Sequence, residues 1–324
     1  MSEKNKEMNS KIKDGEKIIL NKKRERNKKE KKAKEKDSLD NIIIGNIKIE
    51  ELQLRNRIIN SYESVKREKP YIKDYESEKN EKEIKNCEIY INNQKITFSY
   101  FYDFPKPGNY IIKYKFKKLL KVTNLMFFDC NSLISLDLSN FNTQNVTNMF
   151  GMFHNCKSLT SLDLSNFNTQ SVTIMGNMFS NCYSLASLDL SNFNTQNVTT
   201  MLGMFSNCNS LTSLDLSNFN TQNVTTMVGM FFNCYSLVSL DLSNFNTQNV
   251  TTMLGMFHNC KSLTSLDLSN FNILNETNIF YMFYNCYSLT SLNLSNFNTQ
   301  YEIKMEYTFY NCNSLFFKII NNYQ

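Results

Sequence analysis

The sequence predicts an α/β repeat solenoid with a parallel sheet on its concave side, short helices on its convex side and a small β-rich N-terminal cap. Three observations carry this. Cys130, Cys156, Cys182, Cys208, Cys234, Cys260, Cys286 and Cys312 are 26 residues apart in all seven intervals, inside a repeating CxSLxSLDLSNFNTQNVTxMxxMFxN string. Within each unit the apolar spacing switches from two to near 3.6. Ahead of the array, Cys87–Phe116 holds three short alternating runs separated by turn signals.

In one unit, Leu159, Leu162, Leu164 and Phe167 fall at L-x-x-L-x-L-x-x-(F), a leucine-rich-repeat pattern with Phe where Asn or Cys commonly sits. Leu162 and Leu164 alternate with Ser161, Asp163 and Ser165, so a short strand turns its leucines inward and Ser-Asp-Ser outward. Val198, Met201 and Phe205 lie at i, i+3 and i+7, which predicts a short convex helix. No unit buries its Leu/Met/Phe face by itself, so seven full units and a partial one must stack. At roughly 4.8 Å per paired strand the parallel sheet would be about 35 Å long. Polar Glu276, Glu302, Lys304 and Glu306 enter the last units, as expected of a terminus.

The chain then divides as a tail over 1–40, a short helix and charged linker over 41–86, a three-stranded cap over 87–118 and the repeats over 119–324. The tail holds fifteen Lys/Arg against nine Asp/Glu, which accounts for the whole net charge of +6. Its KKRERNKKEKKAKEK run has too few apolar groups to offset the entropy of ordering. Interleaved Glu25, Glu30 and Glu35 dilute its field, so nucleic acid is not the expected partner. Leu54, Ile58, Tyr62 and Val65 predict an amphipathic helix over 50–67, followed by a charged stretch over 73–86. Asn92-Asn93-Gln94 between Cys87–Ile91 and Lys95–Phe101 is a hairpin signal, and Tyr110–Phe116 forms the third strand of the cap.

The strings MFxNCxSLxSLDLSNFNTQNVTxM, covering 117–324, resemble the BspA-like leucine-rich-repeat family, including the short repeats of unknown function first noted in mycoplasma proteins and expanded in protists. Arg57–Glu63 and Cys87–Lys118 also resemble the region preceding such repeats in intracellular protist proteins. The resemblance implies a right-handed solenoid and protein binding; bacterial and trichomonad members are surface adhesins. This chain differs in having Phe-Asn-Thr where many relatives have Trp-Asp-Thr.

No stretch approaches the roughly 20 apolar residues of a membrane-spanning helix. The start offers only Ile18-Ile19-Leu20 where an export signal needs about 7 apolar residues. A cytoplasmic location is expected, with the cell surface as the alternative. In a reducing compartment the cysteines are expected to be free and to pack in the core, holding neither disulfides nor zinc. His154 and His258 share one repeat position four units apart, roughly 19 Å, on what reads as a tolerant convex surface. With no phosphate loop and no convergent acid/base pair, neither an enzyme nor a cofactor or small-molecule substrate is expected.

The candidate ligand-binding residues are Asp137, Asp163, Asp189, Asp215, Asp241 and Asp267, with Asn293 completing the column. Neighbouring carboxylates about 4.8 Å apart would repel by roughly 1 kcal/mol per pair in water, so neutralising them is expected to raise stability. An acidic stripe repeated rung after rung would suit a basic or multivalent protein or peptide ligand, which makes a scaffold or interaction module the expected function. Asn145, Asn197, Asn223, Asn249, Asn275 and Asn293 head N-x-[ST] triplets, read as by-products of the repeat.

Overall fold

The computed structural model describes residues 41–51, 55–70, 78–273, 277–297 and 307–315. The chain divides into Met1–Asn41 and Ile42–Gln324, and the elements below, apart from the first residue of the first strand, belong to the second unit. It is mostly β, with open sheets and, among the described residues, two short helices. The 1–40 tail, Leu54 and the polar terminal residues Glu276, Glu302, Lys304 and Glu306 lie outside the described residues.

The chain returns beside itself every 26 residues. Isolated parallel bridges link Val122 to Asn148, then Ile174, Thr200, Thr226, Thr252 and Asn278, one residue per rung. Next to this line Thr147, Thr173, Thr199, Thr225 and Thr251 each bond through N–H and Oγ1 to a carbonyl one period earlier. Between rungs, Thr169, Thr195 and Thr221 are buried and act as clasps. Each hydroxyl donates to the carbonyl of an Asn 25 residues on and accepts that residue's N–H, for example Thr195 with Asn220 at 2.9 and 2.8 Å. A clasp that both gives and takes satisfies groups whose burial would otherwise cost roughly 1–3 kcal/mol each.

The core is a set of side-chain columns. Phe127, Phe153, Phe179, Phe205, Phe231, Phe257, Phe283 and Phe309 stack nearly parallel at 5.4–5.9 Å between ring centroids. All nine cysteines are free and buried. Each thiol from Cys156 to Cys312 donates to a Phe carbonyl 29 residues back, at 3.0–3.2 Å.

The convex helices expected at the Met-Phe segment are not formed; the segment is an arc of turns. In one rung Met201, Gly203, Phe205 and Asn207 donate N–H to the next rung, while Met204, Ser206 and Cys208 donate to the carbonyl three residues back. The reason is backbone sign. Gly203 and Asn207 have φ of 57° and 59°, and the same two positions are left-handed in every rung from Gly151 and Asn155 onward. An α-helix needs φ near −63° throughout, so two reversals four residues apart exclude it. The i, i+3, i+7 pattern reports which side chains face inward, and a turn arc meets it as well as a helix does.

The expected continuous sheet is also interrupted. β7 (Leu133–Asp137) and β8 (Ser161–Asp163) pair in parallel, as do β9 (Ser265–Asp267) and β10 (Ser291–Asn293). The Ser-Leu-Asp segments of the three rungs between them carry no strand. Beyond the leucines, asparagine side chains link the rungs: Asn218 and Asn244, in two of these rungs, and Asn270, after β9, each donate to three carbonyls of the preceding rung at 2.7–3.1 Å.

At the N-terminal end, the described residues of 41–86 depart from the expected helix and linker, of which 52–54 and 73–77 lie outside the described residues. β1 (Asn41–Ile49) is a nine-residue strand that pairs antiparallel with β7, placing Gly45 opposite Leu136. Its alternate isoleucines, Ile43, Ile47 and Ile49, are buried. β3 (Glu88–Ile91), β4 (Gln94–Ile96) and β6 (Gly108–Phe116) complete a six-stranded sheet ordered β4-β3-β6-β1-β7-β8, so the capping strands continue into the first rungs. Asn92 and Asn93 have φ of 47° and 65°, as a tight hairpin requires. β2 (Asn56–Arg57) pairs with β5 (Phe101–Tyr102), which replaces the first turns of the expected 50–67 helix. The helix that does form, α1 (Tyr62–Glu68), begins at Ser61, whose side chain accepts the Ser64 N–H. It is followed by a single turn, α2 (Glu81–Ile84).

Candidate functional site

All six aspartates, and Asn293 after them, are exposed at the same position of their rungs. Asp137 sits opposite Asp163 across β7 and β8, and Asp267 opposite Asn293 across β9 and β10. Each carboxylate is fixed by its own turn. The Oδ1 of Asp137, Asp163, Asp189, Asp215, Asp241 and Asp267 accepts the N–H of the serine two residues on at 2.8–2.9 Å, and Asn293 does the same for Ser295 at 3.2 Å. This is the local bond that makes Asp and Asn favoured in turns. It also explains why a leucine strand ends in Asp-Leu-Ser.

Electrostatics follows from that geometry. The Ser165 hydroxyl and amide hold the Asp163 carboxyl below its ordinary value, and the amide and hydroxyl of the following serine do so for Asp189, Asp215, Asp241 and Asp267. A neighbouring aspartate pushes the other way at Asp163, Asp215 and Asp241, and is the smallest contribution at each. The expected cost of repulsion is therefore outweighed by hydrogen bonding to the charged form. The column is a set of stable, separately anchored anions.

The remaining candidates fall elsewhere. His154 and His258 are not on a tolerant surface but inside an aromatic column. His154 stacks on Phe128 at 5.1 Å and lies 3.4 Å from Asn181 Nδ2, and burial lowers its pKa to about 4. His258 lies between Phe232 at 4.5 Å and Tyr284 at 4.8 Å, with its pKa also lowered by burial. Burial pushes the Cys182 and Cys234 thiols up to about 12, so no thiolate is offered there. Among the described residues no three His, Cys, Asp or Glu side chains converge on a metal-sized site, and no helix is long and apolar enough to cross a membrane. Three triplet asparagines are structural, since Asn197, Asn223 and Asn249 donate Nδ2 to a Gln carbonyl of the preceding rung at 2.6–2.8 Å. Asn275 lies outside the described residues.

Sequence reasoning missed a second ladder. Asn207, Asn233, Asn259, Asn285 and Asn311 each donate Nδ2 to the Oδ1 of the asparagine one rung earlier, at 2.7–2.8 Å. The signal was present, because the Asn before every repeat cysteine from Cys156 onward is invariant between units.

The sequence matches the family described as Mycoplasma protein of unknown function, DUF285, over residues 121–237 and 204–323, together more than half of the chain. The chain belongs to this family. No curated protein matches it. The DUF285 matches begin at Lys121, one residue before the first bridge of the parallel ladder, and take in all six aspartates. β1 and the β3–β4–β6 strands lie before them.

Proposed function

We propose that this chain is a right-handed leucine-rich-repeat solenoid of BspA-like type that works by binding, not by catalysis, as an interaction or scaffold module inside the cell. The aspartate face is its docking surface for a basic or multivalent protein or peptide. The observation that carries this reading is the column of exposed aspartates, each oriented by its own serine amide. Preorganised charges orient a ligand without the entropy of ordering mobile side chains. A face repeated rung by rung favours a ligand with a matching repeat of cations. The shielded histidines and buried thiols support a non-catalytic reading, and nine free cysteines support a reducing compartment.

The test uses the full chain, because a start near residue 86 would remove β1 from the sheet. Calorimetric titration with an oligolysine peptide is expected to give saturable, salt-sensitive binding. The Asp189→Asn, Asp215→Asn, Asp241→Asn variant should bind about tenfold more weakly, from roughly 0.5 kcal/mol for each exposed pair lost. Equal affinity in the variant moves the site off this face. Protease treatment of intact cells separates the reading from a surface adhesin, since shaving from outside contradicts an internal scaffold.

A further inference from the structure

Two rungs near the C-terminal end break a backbone rule. At the first left-handed position of the turn arc, Gly151, Gly203, Gly229 and Gly255 have φ near 57°, but Tyr281 and Tyr307 hold the same conformation at 56° and 55°. A bulky side chain there is strained, and strain that persists points to use. The two rings stack at 5.3 Å and meet Tyr284 and Tyr310 edge-on at 5.7 and 6.1 Å. Tyr284 and Tyr310 stack on each other at 4.9 Å. Tyr281, Tyr307 and Tyr310 are 37%, 54% and 49% exposed, whereas the phenylalanine column from Phe127 to Phe283 is buried.

The same columns carry bulky residues at the other end of the stack, and there they are covered. Leu125 (φ 58°) and Phe128 stand six periods before Tyr281 and Tyr284, and Phe150 five periods before half-buried Phe280. Tyr62 and Val65 of α1 pack into one buried cluster with Leu125, Phe128 and Phe150. Lys69, just past the helix end, holds its Nζ 4.7 Å over the Phe128 ring and pairs with Asp129. Between the two ends the first column carries Gly, or Asn at 177.

We propose that the Tyr281, Tyr284, Tyr307 and Tyr310 face receives a short amphipathic helix from a partner protein, presenting an aromatic residue, a β-branched residue three positions on and a basic residue four after that. That is the spacing of Tyr62, Val65 and Lys69, which lies on one helix face. The exposed rings of Tyr307 and Tyr310, last in their columns, are placed to attract a cation as Phe128 attracts Lys69. The surface is separate from the aspartate column and does not depend on it.

The probe is a lactam-stapled helical peptide of residues 61–69, fluorescently labelled and titrated into the full chain. Saturable binding is expected. The Tyr281→Gly, Tyr307→Gly variant should bind at least tenfold more weakly while melting no lower than the parent, because it restores the residue that other rungs carry. A peptide with Tyr62→Ala and Val65→Asp should not bind. Equal affinity for the double-glycine variant, or no saturable binding to the parent, overturns the proposal. So does concentration-dependent dimerisation of the parent that the double-glycine variant abolishes, since the occupant is then a second copy of the chain.

Discussion

Asn233 tests whether the stack is held by its inner asparagine ladder. Its Nδ2 donates to Asn207 Oδ1 at 2.7 Å, its own Oδ1 accepts from Asn259 at 2.7 Å, and its backbone is left-handed with φ 59°. Replacement by Gly keeps the backbone at ease and removes both amide contacts, at roughly 0.5–1.5 kcal/mol each, or about 1–3 kcal/mol together. Replacement by Ala loses the same contacts and adds roughly 1–2 kcal/mol for a Cβ in the left-handed region, about 2–5 kcal/mol in all. Urea unfolding followed by circular dichroism should therefore rank parent above Asn233→Gly above Asn233→Ala. An Asn233→Gly protein as stable as the parent would show that the ladder contributes nothing. An Asn233→Ala protein at least as stable as Asn233→Gly would show that backbone sign does not decide this position.

Phe205→Ala, in the centre of the stacked phenylalanines, should cost roughly 3–5 kcal/mol in the same assay, as for other large-to-small core changes. Gly45→Val should disrupt the antiparallel pairing of β1 with β7. A Cβ at Gly45 meets Ile112 Cγ2 at 2.9 Å and two leucine methyls at 3.1 Å, and loss of protection of the Leu136 region in hydrogen exchange reports it. Asp163, Asp189, Asp215, Asp241 and Asp267 are held below their ordinary pKa, and Glu81 is lowered to about 2, chiefly by its bond to Arg67. Groups depressed in the folded state stabilise it above their unfolded values near 4 and lose that contribution as pH falls. The melting temperature should therefore drop between pH 5 and 2. The Asp189→Asn, Asp215→Asn, Asp241→Asn variant should drop less, and should not exceed the parent at pH 7.

The sequence showed most where a residue's role depends on its face. Burial of the Met, Phe and Cys columns and of most leucines, and exposure of the aspartates, follow from periodicity, and the structure has them so, with Leu162, Leu188 and Leu292 half-buried. What periodicity does not carry is backbone sign. Met201 and Phe205 face inward whether the chain between them is a helix or a run of turns, and only Gly203 and Asn207 distinguish the two. β1 was missed because Asn41-Ile-Ile-Ile-Gly-Asn-Ile-Lys-Ile reads as an unbroken apolar run at its start. Its alternation becomes visible only when one face is covered by Ile112, Leu133 and Leu136. The histidines were misplaced for a related reason: a position that tolerates Ser, Phe, His and Tyr looks exposed, whereas a column can accept any flat ring that stacks on its neighbour.

Near-identity of the rungs has a physical consequence of its own. A side chain that bonds to its own copy one period away, as Asn233 does to Asn207, is satisfied only if the neighbour keeps the same residue in the same register. Each ladder therefore selects for repetition of itself, and a one-residue slip would unpair the asparagine, threonine, cysteine and phenylalanine columns together. The exposed tyrosines obey the opposite logic. Tyr281 and Tyr307 replace the glycine that the backbone prefers, and nothing in the rung-to-rung bonding requires them. Positions where a repeat array abandons its consensus at an energetic cost are therefore where function, as distinct from folding, is to be sought. Here that criterion adds the tyrosine face, which departs from the repeat, as a second surface beside the aspartate column, which the Asx turn holds in the same orientation in every rung.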